Sequence, residues 1–411
     1  MLRILFVTDS YNPAPSPNAI CVERLKRDFE AKGIACNVIA LRTFSTHLQY
    51  PNDSTVTFVE PDYIYNRLFD AQFTQNSSKM ARMLKVSKLR GALYGLFWPL
   101  VSVTHLHRYV KAIGKFLHYH KNEQVAVIGV YKSLEAALAC AIAKKKYNKG
   151  TYFLYTLDAV AGSIIPRIYH SDKIAKWSIL RWERFMFNTY DHILMMNAHQ
   201  DFYSHKRYNE IRHKIEYVDI PLLASNNNTY KQKCQIHIVF TGGMSTETAD
   251  PRYFLRLLSL LDEDKLVFDV YGKTSSIEIS DEMKDSKYVR MHGPVCHDDI
   301  LEIQANADVL VNFGNFTPCA IPCKIFEYFS TGRPVISFIK IDQDASLSYV
   351  QHYPKSLVID ERADIKENTM ILRNFLRMID STKISTDTVK KIFKQNTPQY
   401  TTSLIISKSQ S

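Results

Sequence analysis

Near-continuous apolar runs alternate with amphipathic stretches along the first half of the chain. The apolar runs predict buried strands, and the longer amphipathic stretches predict helices. The predicted strands are residues 2–8, 37–41, 125–130, 152–156 and 192–196. The predicted helices are residues 18–32, with Asn18 as the N-terminal cap, 132–147 and 172–189. Apolar strands separated by helices are typical of a parallel sheet that is covered on both faces.

The same alternation begins again after a polar, Asn-rich stretch at 222–234, which is typical of a linker. The second set of predicted strands is 236–241, 266–271, 288–291, 308–313 and 334–338, with helices at 251–261, at 298–305 and around Glu327. We therefore expect two Rossmann-like α/β domains, residues 1–220 and 221–383, with doubly wound parallel sheets that face a cleft. Residues 384–411 are expected to pack back toward the N-terminal domain.

The stretch from 318 to 337 carries the most specific chemistry. Pro322 is expected at the first helical position, so that free backbone N–H groups around residues 320–324 form a seat for an anion. Lys324 adds a positive charge, and Glu327 lies three residues further on, on the same side of the helix. This combination suits a nucleoside diphosphate, with the carboxylate available to vicinal hydroxyls. The alternative is a capped helix on which Lys324 and Glu327 are solvated surface charges.

Glycines follow two predicted strands of the second domain. Gly242 and Gly243 follow the strand at 236–241, and Gly272 follows the strand at 266–271, so backbone can approach a ligand closely at both places. Lys273 is either a second charge for the diphosphate or a solvated loop residue.

Four sequence motifs of other enzyme classes are absent, namely G-x-G-x-x-G, G-x-x-x-x-G-K-[ST], H-E-x-x-H and G-x-S-x-G. Their absence argues against a dinucleotide-dependent enzyme, a kinase-like phosphoryl transferase, a zinc hydrolase and a serine hydrolase.

Composition and charge indicate the class of the protein and the cell compartment in which we expect it. Of the 411 residues, 46% are hydrophobic and 23% are charged, as in soluble globular proteins. Seven scattered cysteines are typical of reduced thiols. The first apolar run is too short for a signal peptide, so we expect a cytoplasmic protein. The net charge of +11 is uneven, since residues 71–122 contain nine Lys or Arg and no Asp or Glu.

This basic segment, residues 71–122, has an apolar centre at 91–103 that is too short and too interrupted for a membrane span. We predict that the segment lies on an anionic leaflet as a basic amphipathic element. The residues expected to face the membrane are Arg82, Lys85, Lys88, Arg90 and Trp98. The alternative is a buried helix pair with an exposed basic face. No recognised nucleic-acid module accompanies the charge, so we expect no nucleic-acid partner.

Residues 310–315 and 321–336 together resemble the donor-site signature of retaining GT-B glycosyltransferases of family 4. The opening Ile4-Leu-Phe-Val-Thr-Asp-Ser-Tyr-Asn-Pro and the stretch Asn18-Ala-Ile-Cys-Val-Glu-Arg-Leu are similar to the start of bacterial capsule and exopolysaccharide members. The resemblance covers nearly the whole chain, and its most specific part runs from Lys324 to Tyr328.

The resemblance implies a donor site in the C-terminal domain. Glu327 falls on the second Glu of the family's E-x7-E motif, which typically holds the ribose hydroxyls, whereas Cys319 replaces the first. The family's Arg and Lys after the first C-terminal strand are also missing, because residues 243–246 read Gly-Met-Ser-Thr. The donor-binding residues that the resemblance implies are Ile321, Lys324, Glu327, Gly242, Gly243 and Lys273.

In the N-terminal domain, the resemblance implies an acceptor-side loop at Asn18 and a polar residue near the reacting centre at Asp158. Asp158 would position the acceptor or donor sugar, or assist as a general base. Its alternative role is a cap for the turn at Ala159. Retaining members need no enzymic nucleophile, because the leaving diphosphate is thought to take the acceptor proton.

We predict a retaining glycosyltransferase that moves a sugar from a nucleotide-sugar donor to a polyprenyl-diphosphate-linked or oligosaccharide acceptor in surface polysaccharide biosynthesis. It would be peripheral on the inner face of the plasma membrane. No cofactor and no metal are expected, because side chains and helix ends neutralise the diphosphate. The alternatives are a degenerate, non-catalytic partner that binds membrane or glycan, and a nucleotide-sugar-modifying Rossmann enzyme, which would need a glycine loop that the sequence lacks.

Overall fold

The computed structural model describes residues 2–11, 16–42, 53–62, 97–100, 102–161, 172–223, 234–246, 249–316, 321–380 and 382–410. These residues divide into two compact units. Unit 1 comprises Met1–Pro221 together with Pro398–Ser411, and unit 2 comprises Leu222–Thr397. The C-terminal segment expected at 384–411 is therefore divided, with its first part in unit 2 and its last helix in unit 1.

Unit 1 contains a seven-stranded sheet in the order β3-β2-β1-β4-β5-β6-β7, and every strand pair in it is parallel. The strands are β1 (Leu2–Thr8), β2 (Ala35–Leu41), β3 (Val56–Val59), β4 (Gln124–Tyr131), β5 (Thr151–Thr156), β6 (His192–Met196) and β7 (Ile215–Val218). The helices are α1 (Pro17–Ala31), α2 (Val103–Tyr119), α3 (Leu134–Tyr147), α4 (Asp172–Thr189) and α5 (Gln200–Tyr203). Short 3-10 helices cover Asn197–His199 and Lys206–Lys214.

Helix α1 begins one residue before the predicted cap. The Ser16 hydroxyl accepts a hydrogen bond from Ala19 N at 3.2 Å, and Pro17 occupies the first helical position. Asn18 was predicted as the cap, and this was wrong because its side chain lies inside the first turn and is buried. Helix α1 ends at Ala31, and Gly33, which follows the C-terminal cap Lys32, has a φ of 73° in the left-handed region.

Unit 2 contains a six-stranded, all-parallel sheet in the order β10-β9-β8-β11-β12-β13. The strands are β8 (Ile236–Thr241), β9 (Leu266–Tyr271), β10 (Val289–Met291), β11 (Val309–Phe313), β12 (Val335–Ile339) and β13 (Ser356–Asp360). The helices are α6 (Arg252–Leu261), α7 (Ile277–Asp285), α8 (His297–Ala305), α9 (Lys324–Ser330), α10 (Leu347–His352), α11 (Ile365–Arg377) and α12 (Thr386–Ile392), followed by a 3-10 turn at Lys394–Asn396.

Each sheet has its own apolar core, which fits the continuous apolar strands of the sequence. In unit 2, Phe240, Phe268 and Phe313 pack with Phe254 of α6. The expectation of two doubly wound parallel α/β domains is thereby confirmed at the level of the sheets. In such sheets the carboxyl ends of the strands gather at one edge, where ligands bind.

The last helix, α13 (Pro398–Gln410), packs against α1 within unit 1. Lys32 Nζ donates to Thr402 Oγ1 at 2.6 Å, and Thr402 Oγ1 donates to the Asp28 carboxylate. Lys408 Nζ forms an ion pair with Glu216 Oε1 at 2.5 Å. These contacts tie the end of the chain to the beginning and to β7.

Candidate functional site

Two glycines bring the ends of β8 and β9 together in unit 2. Gly242 N donates to Tyr271 O at 2.8 Å, with φ of 126° at Gly242 and 155° at Gly272. A Cβ atom on Gly272 would lie 1.9 Å from Gly242 O, so no other residue fits there. Gly243 differs, because the nearest atom to an added Cβ is 3.8 Å away. Of the predicted pair, Gly242 is therefore the residue that the geometry requires.

Lys324 lies at the first turn of α9, and its ammonium group reaches the turn after β8. Its Nζ is 4.0 Å from the centre of the Phe240 ring, and a Cβ atom on Gly242 would lie 2.7 Å from it. Burial lowers the pKa of Lys324 to about 8, although the Glu327 carboxylate acts in the opposite direction. Because burial outweighs that carboxylate, the positive charge is under-compensated, and an anionic ligand would stabilise it.

Helix α9 starts two residues later than predicted. Pro322 was expected at the first helical position, but Lys324 occupies it, and Pro322 O accepts from Ile325 N at 3.1 Å. Ile321 is half-buried, and Cys319 lies outside the described residues. The first turn of α9 therefore begins at Lys324 rather than at Pro322, and binding of an anion there stays a prediction.

Glu327 is 9% exposed and faces the buried side of α9. Gln304 Nε2 lies 3.5 Å from Glu327 Oε2 and donates to Thr241 Oγ1 at 2.9 Å. Thr241 N in turn donates to Tyr328 Oη at 3.1 Å. The contact from Gln304 is long, so the Glu327 carboxylate keeps capacity to accept hydrogen bonds from hydroxyl groups of a ligand.

Two further lysines of unit 2, Lys273 and Lys340, follow strands at the carboxyl edge of the sheet. The Lys273 side chain is exposed, and its backbone O accepts from Met244 N at 2.9 Å, so the residue joins the loops after β8 and β9. Lys340 was not predicted; it follows β12, is 7% exposed, and has Nζ 3.9 Å from Glu361 Oε1. Burial raises the pKa of Glu361 to about 7, although Lys340 opposes the shift. Lys340 could have been predicted from the sequence, because it is a charged residue directly after an apolar strand.

The carboxyl edge of the sheet in unit 1 carries Asp158 in the turn after β5. Its side chain is exposed, and no described residue forms a hydrogen bond with its carboxylate, so the capping role receives no support within this part of the chain. The turn itself is held by α4 and α5. Val160 N donates to Tyr203 Oη at 3.1 Å, and Ala161 N donates to Glu183 Oε2 at 2.9 Å.

Glu183, and an ion pair between Asp9 and Lys132 at this edge, were not predicted from the sequence. Glu183 is 2% exposed and also accepts from Tyr208 Oη at 2.7 Å, and burial raises its pKa. Asp9 after β1 and Lys132 after β4 form an ion pair at 3.6 Å. Asp9, Lys132 and Asp158 follow three adjacent parallel strands, so their backbones share one edge of the sheet.

The basic segment is described only in part. Arg82, Lys85, Lys88 and Arg90 lie outside the described residues, and Trp98 is half-buried. The described remainder includes α2, whose Tyr109, Ile113 and Leu117 are buried while Lys and His side chains on its other face are exposed. Among the helices that the structure describes, none has both the length and the apolar character needed to cross a bilayer. Membrane contact stays a prediction.

Comparison with known proteins agrees with this architecture. Residues 235–367 match the family model described as Glycosyl transferases group 1. No curated protein is significantly similar to the chain in sequence. Among solved structures, a glycosyltransferase from Rickettsia africae ESF-5 is 9% identical with a TM-score of 0.61, covering 99% of this chain and 98% of that chain.

Two further solved structures cover 100% of this chain. The lipopolysaccharide outer core galactosyltransferase WaaB in its apo form is 14% identical with a TM-score of 0.56 over 99% of its own chain. An α,α-trehalose 6-phosphate synthase from Burkholderia multivorans is 10% identical with a TM-score of 0.60 over 98% of its own chain. The chain has the GT-B fold.

Acidic pairs in the second unit of this GT-B chain do not form a metal centre. Two Asp-x-Asp sequences occur, at 262–264 and 342–344. Asp262 pairs with Lys287 at 2.7 Å, and Asp342 pairs with Arg362 at 2.6 Å. Within the described ranges, no group of three or more His, Cys, Asp or Glu side chains is arranged to hold a metal ion. Metal independence remains a prediction.

Proposed function

We propose that the chain is a glycosyltransferase whose unit 2 binds a nucleotide-sugar donor. The observation that carries the proposal is the arrangement of Lys324, Gly242 and Glu327. The under-compensated ammonium of Lys324 faces a turn where backbone is kept clear of side chains, which suits a diphosphate. One turn along α9, Glu327 offers acceptor capacity for ribose hydroxyls. The family match over residues 235–367 includes all three residues and supports the same conclusion.

Unit 1 is proposed to bind the acceptor, with Asp158 positioning a sugar hydroxyl. The bond between the anomeric carbon and the donor diphosphate breaks, the acceptor oxygen forms the new bond, and the departing diphosphate takes the acceptor proton. Retention of configuration follows if attack and departure occur on one face of the sugar. Lys324 would stabilise the charge that develops on the diphosphate. The proposed reaction requires no resident cofactor.

The acceptor is proposed to be lipid-linked or oligosaccharide, in surface polysaccharide biosynthesis at the inner face of the plasma membrane. A polyprenyl diphosphate would account for the charge of the basic segment. One of the structural relatives is a lipopolysaccharide outer core galactosyltransferase, and such a role is compatible with this proposal. Peripheral attachment is the form of membrane association that we propose.

A non-catalytic, glycan-binding or membrane-binding role is the second candidate. Cys319 stands where the family motif has its first Glu, and residues 243–246 lack the family's Arg and Lys. The first departure weakens contacts to the donor sugar and the second weakens contacts to the diphosphate, but Lys324 and Glu327 are both kept. The two candidates differ in whether a nucleotide sugar is consumed or only bound.

Saturation-transfer NMR against UDP-, GDP-, ADP- and dTDP-sugars tests the proposal. We expect one nucleotide class to bind and the signal to disappear in Glu327→Ala. Glu302→Ala, which removes an exposed carboxylate from α8, is the matched control and should bind normally. Release of free nucleoside diphosphate in the presence of acceptor would identify a transferase. Silence across the panel with folded protein would overturn the donor site.

A further inference from the structure

A cavity of about 990 Å³ lies in unit 1 between α2 and the edge strand β3, apart from both sites described above. Three basic residues of α2 line it, namely Arg108, Lys111 and Lys115, and so do the aromatic residues Phe58, Phe116 and Tyr119. Phe58 and Phe116 are half-buried, whereas Tyr119 is 84% exposed. The cavity therefore combines two half-buried aromatic side chains and one exposed tyrosine with a row of cations.

The three cations share one face of α2. Their spacing of three and four residues places them on successive turns, and the row extends over about 10 Å at 1.5 Å per residue. Arg108 Nη1 donates to Glu60 O at 2.6 Å and to Pro61 O at 2.7 Å, so backbone carbonyls orient the guanidinium without neutralising it. Helix α2 itself contains no acidic residue.

The acidic residues that the structure describes around the cavity already have partners. Glu60 pairs with Arg42 at 2.7 Å. Glu123 accepts from Arg3 Nε at 2.7 Å and lies 2.6 Å from His120 Nδ1. Arg3 and His120 also line the cavity, and both contact the Glu123 carboxylate. Among the residues that the structure describes, none of these carboxylates pairs with Arg108, Lys111 or Lys115, so the three charges are available to a ligand.

We propose that this cavity binds a phosphate-bearing ligand whose apolar or aromatic part lies against Phe58, Phe116 and Tyr119. Phosphate oxygens accept charge-assisted hydrogen bonds from Lys and Arg, and a diphosphate or bisphosphate matches a row of cations better than a single carboxylate does. The aromatic side chains add contact area beside the charges. The ligand is either a soluble phosphorylated compound or the headgroup of a lipid, and the site does not depend on the proposed transfer reaction.

The experiment uses the full-length chain and two double variants. Lys111→Ala/Lys115→Ala removes two cations from the cavity. Lys173→Ala/Lys176→Ala removes the same charge from exposed positions on α4 and serves as the matched control. Thermal melting checks that all three proteins are folded. Calorimetry measures binding of inorganic pyrophosphate, and sedimentation measures binding to phosphatidylcholine vesicles that contain phosphatidylglycerol or, at equal charge, oleate.

We expect the cavity variant to lose about tenfold in affinity for pyrophosphate while the control keeps its affinity, which identifies a soluble phosphorylated ligand. Binding to phosphatidylglycerol vesicles alone, lost only in the cavity variant, identifies a lipid headgroup. Equal binding to oleate vesicles would show attraction to charge rather than recognition of phosphate and would overturn the proposal. Equal losses in both variants, or no binding to any probe, would overturn it as well.

Discussion

The ammonium group of Lys324 lies next to the Cα atom of Gly242, at the place where a side chain would begin. A Cβ atom at position 242 would lie 2.7 Å from Lys324 Nζ. With a side chain at residue 242, the ammonium would have to shift away from its place over the turn after β8. A φ of 126° at Gly242 adds a second reason for glycine. This relationship makes the position of one charge dependent on a residue 82 places earlier in the sequence.

Substitution of Gly242→Ala should displace the Lys324 ammonium and weaken binding of a nucleoside diphosphate by about tenfold, because a charge-assisted contact is lost. Titration of UDP, GDP, ADP and dTDP by calorimetry checks this. Gly33→Ala is the control, since it introduces alanine at a φ of 73° in unit 1 with no atom within 4 Å. A similar loss of affinity in Gly33→Ala would attribute the effect to general destabilisation.

Donor affinity should depend on the protonation state of Lys324. Its pKa is about 8, below the ordinary 10.5, because the half-buried ammonium has lost part of its solvation. Below pH 8 the ammonium is charged and binding should be constant. As pH rises above 8, the free protein loses this charge, and affinity should fall by up to about tenfold per pH unit until the pKa of the complex is reached. Nucleotide titrations from pH 6 to 10 measure the slope.

Lys324→Met is the control for this pH dependence and should bind weakly with a flat profile. The stability of the folded protein should change in the opposite sense. Because the folded pKa lies below the unfolded one, burial of the charged Lys324 costs stability below pH 8, and the cost disappears as pH rises past 10.5. Lys324→Met should therefore be more stable than the natural chain at pH 7, with a difference that shrinks at high pH. Parallel pH profiles of affinity in both proteins would refute the role of Lys324.

The strands with continuous apolar sequences were predicted with the correct ends, as β1, β6, β8 and β9 show. Their buried character is local, so the pattern alone is sufficient. Strand β3 was missed because it has four residues, lies at the sheet edge and mixes Val, Thr and Phe at partly exposed positions. The cap of α1 was misassigned because both Ser16 and Asn18 are good capping residues.

Fewer residues of the candidate site than of the strands could be predicted from the sequence. Lys324 and Glu327 were found because they are close in sequence and lie in a specific motif. Gln304, Glu183 and Lys340 were not, because their importance depends on contacts between elements distant in sequence. A buried polar residue of this kind resembles an ordinary helical or strand-end residue until tertiary structure gives it a partner.

Glu183 should support the stability of the turn that carries Asp158. Glu183→Ala would leave Ala161 N–H and the Tyr208 hydroxyl without their buried acceptor, and we expect a loss of about 2–4 kcal/mol in the free energy of unfolding. Urea unfolding followed by circular dichroism measures the loss. Tyr208→Phe, which removes only one donor, should cost about 1 kcal/mol. Equal costs for the two variants would contradict a shared network.

The raised pKa of Glu183 predicts how the free energy of unfolding changes with pH. Burial raises the pKa of Glu183 above its ordinary value of 4.5. The folded state therefore holds the proton more tightly than the unfolded state, and the associated stability is lost as pH rises through the folded pKa. Glu183→Gln should lack this loss when unfolding is compared across the acidic and neutral range. A slope unchanged by the substitution would assign the titration to another group.

Asp158 tests whether the turn after β5 takes part in the reaction. If its carboxylate positions an acceptor hydroxyl, Asp158→Ala should lower kcat/KM for the acceptor by about hundredfold, and Asp158→Asn should recover part of it because an amide still accepts a hydrogen bond. A general base would behave differently, since Asn cannot take a proton and would be as inactive as Ala. Donor binding should be unchanged in both variants, because the donor residues lie in unit 2. Asp201→Asn, an exposed carboxylate elsewhere in unit 1, controls for surface charge. Full activity of Asp158→Ala would remove this residue from the mechanism and leave acceptor positioning to other residues of the same edge, with Asp9 and Lys132 the next pair to substitute.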